Sequence, residues 1–291
     1  MEKKITVKDV AKQAGVSVAT VSYIMNDRKD QKISEATRKK VLQIANLLNY
    51  RPCHAAKTLA TGKTNIIGIA YSIDTNHPSR NMEVTIFVHQ LIERLKRMKY
   101  DVLFLSSEPE EDHLPLNGNI DGIITLDLSM KSFRHLANNY LVPIINVDMK
   151  VNDDLFYQVY TNYEQKLEEA YGIMGDNSIL VLDRFSNENY MEYITKHARQ
   201  EILYADQLSE AVLSSLCDKK AIIIGNYLAL LLTPYMKAEN MLTISSEENI
   251  NFLPHNSKYL FIDTTKKANM TINLLLNAID RKFHVAHDYA I

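Results

Sequence analysis

The 291-residue chain carries 33 basic and 35 acidic side chains, 46% hydrophobic residues and only two cysteines, Cys53 and Cys217. This suits a globular chain long enough for two or three compact units, and it excludes a disulfide-stapled fold and a cysteine-built zinc site. No run approaches the roughly 20 apolar residues of a membrane span, and the start MEKKITVKDV lacks the apolar core of a signal peptide, so the expected location is the cytoplasm.

The near-neutral total hides an asymmetry. Residues 1–63 hold 13 basic and 5 acidic side chains, a net of +8, and the remainder holds 20 and 30, a net of -10. A basic head on an acidic body points to a polyanionic partner for the head.

In chain order, "TVKDVAKQAG" reads as a helix capped by Thr6 with Asp9 in its first turn. Val7, Val10, Ala11 and Ala14 form its apolar stripe, and Gly15 supplies the left-handed stop. "VSVATVSYIMN" reads as a second helix capped by Ser17, with Val16, Val21 and Ile24 inward. Two helices around a short glycine turn make a helix-turn-helix, whose second helix can enter the major groove. A longer helix starts at Ala36 or Thr37 behind the cap Ser34, with Val41, Leu42, Ile44, Ala45 and Leu48 buried. A generic three-helix bundle is the alternative; against it, one solvent face carries Ser17, Val18, Ala19, Ser22 and Tyr23 rather than salt-bridged side chains.

The string "TVKDVAKQAGVSVATVSYIMN…ISEATRKKVLQIANLLNYRP…A…LATGKTNIIGIA", Thr6 to Ala70, resembles the lactose-repressor (LacI/GalR) family of bacterial transcription regulators. The resemblance implies base reading by Val18, Ala19 and Tyr23. The first two offer only apolar contact, for example to a thymine methyl, and Tyr23 replaces a frequent arginine, which removes a bidentate guanine contact. It implies phosphate contacts from Thr6, Ser17, Thr20, Ser22, Asn26, Ser34 and Thr37, with Lys32, Arg38 and Lys63 adding a nonspecific electrostatic contribution. It also implies a short hinge helix after Pro52 that orders on DNA, with Ala55 and Ala56 packing across a dimer axis and Leu59 wedged into the minor groove. Cys53 departs from the asparagine usual there.

From Asn65 the pattern alternates strand and helix. "IIGIAYS", "DVLFLS", "IDGIITL", "VPIINVD", "SILVLD", "EILYA", "AIIIG", "LTIS" and "YLFID" are near-continuous apolar strands, as in parallel sheets covered on both faces. "VTIFVHQLIERLKRMKY" is an amphipathic helix with Ile86, Leu91, Leu95 and Met98 inward. Two doubly wound lobes follow, with a ligand cleft at the strand carboxyl ends.

The expected fold is therefore an all-α helix-turn-helix head plus an α/β body of parallel sheets, to which the resemblance adds a two-lobed periplasmic-binding-protein-like arrangement. The expected boundaries are 1–52 for the head, 53–64 for the hinge and linker, and 65–291 for an effector-binding and dimerisation domain. Lobe one is expected over about 66–160 and 266–282, and lobe two over about 161–265 and 283–291.

The resemblance maps effector contacts onto Asn76, Asp148, Asn162, Asn226 and Glu247, and Tyr193 is a candidate for sugar stacking, as is Tyr190. Several positions depart from the family. Asn226-Tyr227 stands for Asn-Asp, Ser245-Ser246-Glu247-Glu248 for Gly-aromatic-Asp-Asp, and the arginine expected after "ILVLD" has no counterpart, since Arg184 comes too early. "SEPEEDHLPLNGN" is too short for the usual second helix.

No phosphate-binding glycine loop, catalytic triad or metal spacing is visible; His284 and His287 are three apart in a strand tail, facing opposite sides, and Glu108 to Asp112 reads as a solvated loop. No enzyme activity, cofactor or metal is expected. The resemblance implies a sequence-specific DNA-binding regulator, a repressor in the first instance. It would bind a pseudo-palindromic double-stranded operator as a homodimer, tuned by a small molecule such as a sugar in the cleft. Two alternatives stand: a DNA-binding regulator with a degenerate cleft, controlled by a protein corepressor or by none, and a small-molecule sensor that signals through a protein partner.

Overall fold

The computed structural model describes residues 5–26, 31–50, 62–106, 120–246, 253–282 and 285–291. The chain divides into two compact units, Met1–Thr64 and Asn65–Ile291.

The first unit contains helices α1 (Val7–Ala14), α2 (Val18–Met25) and α3 (Glu35–Leu47). The Thr6 amide and hydroxyl both donate to the Asp9 carboxylate, at 2.9 and 2.7 Å. Gly15 ends α1 at φ +67°. Ser17 and Ser34 cap the next two helices by accepting from the amides of Thr20 and Thr37. Val10, Ala11, Ala14, Val21, Ile24, Val41 and Ala45 form the core. Leu42 is a correction: it is 46% exposed, because α3 begins at Glu35 and turns Val41 and Ala45 inward, one position away from Leu42. Pro52, Cys53, Ala55, Ala56 and Leu59 lie outside the described residues.

The second unit holds two parallel sheets of one design. The first runs β11-β5-β4-β3-β1-β2, with β1 Ile66–Tyr71, β2 Asp101–Phe104, β3 Gly122–Leu126, β4 Ile144–Val147, β5 Tyr157–Tyr160 and β11 Asp288–Ala290. The second runs β10-β9-β8-β6-β7, with β6 Ile179–Leu182, β7 Ile202–Tyr204, β8 Ala221–Ile224, β9 Met241–Ser246 and β10 Lys258–Ile262. Each order reverses once, between β1 and β3 and between β6 and β8, and open α/β sheets gather their sites at the strand carboxyl ends beside such a switch.

Helices α4 (Pro78–Arg97), α5 (Met130–Asn139), α6 (Tyr163–Met174), α7 (Glu188–Thr195), α8 (Glu210–Ser214), α9 (Asn226–Leu232) and α10 (Thr264–Ile279) cover the sheets. Leu91 and Leu95 of α4 are buried with Val84, Phe87 and Val88 against β1, β3 and β4, and α10 joins the same core. Met98 is a second correction: it is 46% exposed, because α4 starts earlier, at Pro78, and closes at Arg97. Met98 then caps the helix and Lys99 turns away at φ +63°.

The chain leaves the first sheet after β5, builds the whole second sheet, and returns after β10. The return adds α10 and then β11, which pairs in parallel with β5 (Tyr289 opposite Val159). Assigning 283–291 to the second lobe is thereby corrected: the backbone groups of β5 left open at the sheet edge are satisfied by β11.

Candidate functional site

Two surfaces bear on function. The first is the exposed side of α2. Val18 is 42% exposed and Ala19 is exposed, Tyr23 is half-buried, and Ser17, Ser22 and Asn26 are open to solvent. The outward face of α2 thus carries small and apolar side chains on a helix without a single charged residue. The hydroxyl residues already serve the helix ends: Ser17 and Thr20 share a hydrogen bond at 2.9 Å, Ser34 and Thr37 one at 2.8 Å, and Asn26 Nδ2 donates to the Ser22 carbonyl. Thr6, Ser17, Thr20, Ser34 and Thr37 thus gather at the starts of three helices, where free amides and the helix dipole favour an anion.

The second is the junction of the two lobes of the body, at the carboxyl ends of β3, β4 and β6. Asp127 and Asp148 directly follow β3 and β4, both with left-handed backbone (φ +50° and +47°), a conformation aspartate tolerates at a cost. Asp183 follows β6. Between them lies Arg80, from the first turn of α4. Its Nε donates to Asp127 Oδ2 at 2.8 Å, and its two terminal nitrogens reach Asp148 Oδ2 at 3.3 Å and Glu83 Oε2 at 3.4 Å. The guanidinium carbon sits 4.1 Å from the centre of the Phe185 ring. Lys267 of α10 donates to both Asp148 oxygens at 2.9 Å and to the Thr161 hydroxyl at 3.1 Å.

Apart from Glu83, whose side chain is 22% exposed, the cluster is buried: Arg80 is 7% exposed, Asp127 1% and Lys267 4%. Such charges persist out of water only when paired and hydrogen-bonded. Burial alone would weaken the proton on Arg80, but Asp127, Asp148 and Glu83 outweigh it and hold the guanidinium ionised. Burial alone would lift the Asp148 carboxyl; Lys267 and Arg80 prevail and keep it low. Burial dominates at Glu83 and pushes its carboxyl up to about 7.

The same residues tie the lobes together. Asp127 Oδ1 accepts from the amides of Ser186 and Asn187 in the second lobe, at 2.9 and 3.2 Å. Asp183 Oδ2 accepts from the Arg80 amide at 2.9 Å, a second-lobe carboxylate on the first turn of a first-lobe helix. Asn187 Nδ2 donates to the Leu128 carbonyl, and its Oδ1 receives the Lys150 amide. At Gly225 an added Cβ would lie 2.5 Å from Ser79 Oγ and 3.2 Å from Glu83 Oε1, so only glycine permits this approach. What remains is a cavity of about 30 Å³, lined among others by Arg80, Glu83, Gln90, Asp148, Tyr163 and Lys267. That is room for a water or two, against roughly 300–1,000 Å³ for a small-molecule site.

Among the described residues, Asp148 alone of the expected effector residues lines this cavity. Asn76 is exposed and turned onto Asp74 through its own amide and Nδ2. Asn162 caps α6, accepting from the Gln165 amide. Tyr193 stacks on Tyr190 at 5.7 Å and donates to Asn162. Asn226 opens α9 and is 9% exposed. Glu247 lies outside the described residues. Arg184 points away, pairing with Asp206 at 2.9 Å over the Tyr204 ring.

The central groups Arg80, Glu83, Asp127 and Lys267 were missed. Two signals were available. Arginine in the first turn of a helix opposes the helix dipole. Lys267 falls on the buried stripe of Ala268, Thr271, Ile272 and Leu275.

Residues 6–53 match the family described as "Bacterial regulatory proteins, lacI family". The match spans all three helices of the head. Across the chain, catabolite control protein A of Staphylococcus epidermidis is 30% identical over 57% of this chain and 50% of its own length. The HTH-type transcriptional repressor PurR of Photobacterium profundum is 29% identical over 55% and 48%. The chain thus spans about half the length of these curated relatives. In fold, a lac repressor dimer bound to operator and the anti-inducer ONPF covers 99% of this chain and 96% of its own, with a TM-score of 0.64 at 18% identity. The CelR–cellobiose complex has a TM-score of 0.59 at 14% identity, covering 99% and 97%. The head that matches this family model is therefore joined to a body whose two-sheet α/β fold is like that of these solved regulators. Among the described residues no helix is long and apolar enough to cross a membrane.

Proposed function

We propose that this chain is a cytoplasmic DNA-binding transcription regulator, acting as a repressor by occupying a pseudo-palindromic operator as a homodimer. The observation that carries the reading is the outward apolar face of α2 within the segment that matches the lacI family. Val18, Ala19 and Tyr23 read base edges in the major groove, and Thr6, Ser17, Thr20, Ser22, Asn26, Ser34 and Thr37 fix the register on phosphates. Ala55 and Ala56 pair two hinges and Leu59 opens the minor groove between half-sites.

Control by a sugar in the interlobe cleft is the first reading of the body, supported by its fold and by a neighbour solved with cellobiose. A specific observation favours the second, a cleft that takes no free sugar: its centre is filled by Arg80 and Lys267 and leaves about 30 Å³.

Selection of bound sites from random duplex DNA, repeated over a salt series, tests the regulator. A two-fold symmetric consensus whose affinity falls steeply with salt is the expected result; no enrichment at any salt concentration excludes it.

A further inference from the structure

The lobe junction is built around a guanidinium. Three carboxylates from two strand ends and one helix converge on Arg80, each at a different nitrogen: Asp127 on Nε, Asp148 and Glu83 on the two terminal ones. Phe185 stacks on its face at 4.1 Å. This is the full recognition set for a planar cation: a fork of acceptors in its plane and an aromatic ring on its face. The set is also drawn from both lobes, since Asp127, Asp148 and Glu83 belong to the first and Phe185 to the second. Asp127 holds the Ser186 and Asn187 amides with its other oxygen. Whatever sits at the guanidinium position therefore joins the lobes.

We propose that the interlobe site of this protein is a guanidinium site whose resident ligand is its own Arg80, so that the body closes with no molecule from solution. The arrangement explains three otherwise separate departures. No arginine is supplied after β6, where Arg184 turns outward to Asp206. The two acidic side chains of the lining, Glu83 and Asp148, are matched by Arg80 and Lys267, so its charges are paired within the chain itself. The space left over is of the size of water. A ligand tethered through its own backbone is present at very high effective concentration and loses little freedom on docking, so a free sugar has no means of displacing it. The inference stands on the body alone, and absence of DNA binding in the selection experiment would leave it untouched.

Arg80→Ala in the full chain empties the site and leaves Asp127, Asp148 and Phe185 in place. The expected result is saturable binding of methylguanidinium at millimolar concentration to Arg80→Ala. It should raise the thermal midpoint of the variant by several degrees and restore its resistance to proteolysis between the lobes. Methylammonium, which lacks the fork, should do neither, and the parent chain should respond to neither cation nor to cellobiose, sucrose or glucose. A thermal shift of the parent with any of these sugars, or an Arg80→Ala protein that binds no methylguanidinium, would overturn the proposal. If Arg80→Ala does not fold by itself, both cations are supplied during refolding. Recovery with methylguanidinium and not with methylammonium supports the guanidinium site, and equal recovery or none refutes it.

Discussion

At Glu83 a single carboxyl feels two opposed environments. Its Oε2 faces Arg80, whereas its Oε1 is buried against Gly225 without a hydrogen-bond partner, and burial wins, raising its proton affinity from the ordinary 4.5 to about 7. The folded chain then holds this proton more tightly than the unfolded one. The associated stability is complete below pH 4.5 and is lost as pH rises through about 7, a change of up to about 3 kcal/mol. Asp183, also raised by burial, adds in the same sense at lower pH. Urea midpoints measured from pH 5 to 8.5 should fall for the parent up to about pH 7, and Glu83→Gln should flatten the profile between pH 5 and 7; parallel profiles would remove Glu83 from this role. Burial raises Asp127 as well, against the pull of Arg80, but this carboxylate is satisfied on both oxygens. Asp127→Ala leaves the buried Arg80 and two amides short of an acceptor, and should cost about 3 kcal/mol or more in urea denaturation. A loss below about 1 kcal/mol would mean that water takes the place of the carboxylate.

At the scale of elements, the head was legible nearly to the residue, because caps, stripe and stop are local: Thr6 with Asp9, Ser17, Ser34 and Gly15 each act within four positions of chain. Gly15 is the clearest case. Its φ of +67° favours glycine, yet an added Cβ would meet nothing closer than Lys40 Nζ at 4.0 Å, so Gly15→Ala incurs only the backbone penalty of roughly 1–2 kcal/mol. Amide exchange in α1 and α2 should accelerate by roughly 5- to 30-fold with the body unchanged; an unaltered rate would show that the turn relaxes out of the left-handed region. The strands of the body were legible for a similar reason, as apolar runs. The site was not. Asp127 and Asp148 could be read as strand ends, but Arg80 and Glu83 come from a helix start and Lys267 from a helix far along the chain, and only the packing of α4 and α10 on the first sheet brings them together. Asn162 and Tyr193 were assigned to a ligand because polar groups near strand ends suit one; in the structure they serve the start of α6.

For the whole molecule, the division at Thr64 predicts that residues 65–291 alone retain their secondary structure and a single cooperative urea transition. A fragment that aggregates or melts without cooperativity would make the head a necessary part of the body fold. The order of the strands carries a consequence for how this chain folds as it is made. The second sheet is assembled from one continuous stretch, Ile179 to Ile262, and can form as soon as that stretch has emerged. The first sheet cannot: its five leading strands wait, with α10 missing from one face and the outer edge of β5 open, until residues 264–291 arrive from the far side of the other lobe. An open parallel edge is the species most exposed to wrong pairing, so during synthesis the vulnerable half of the body is the half that begins first and is completed last.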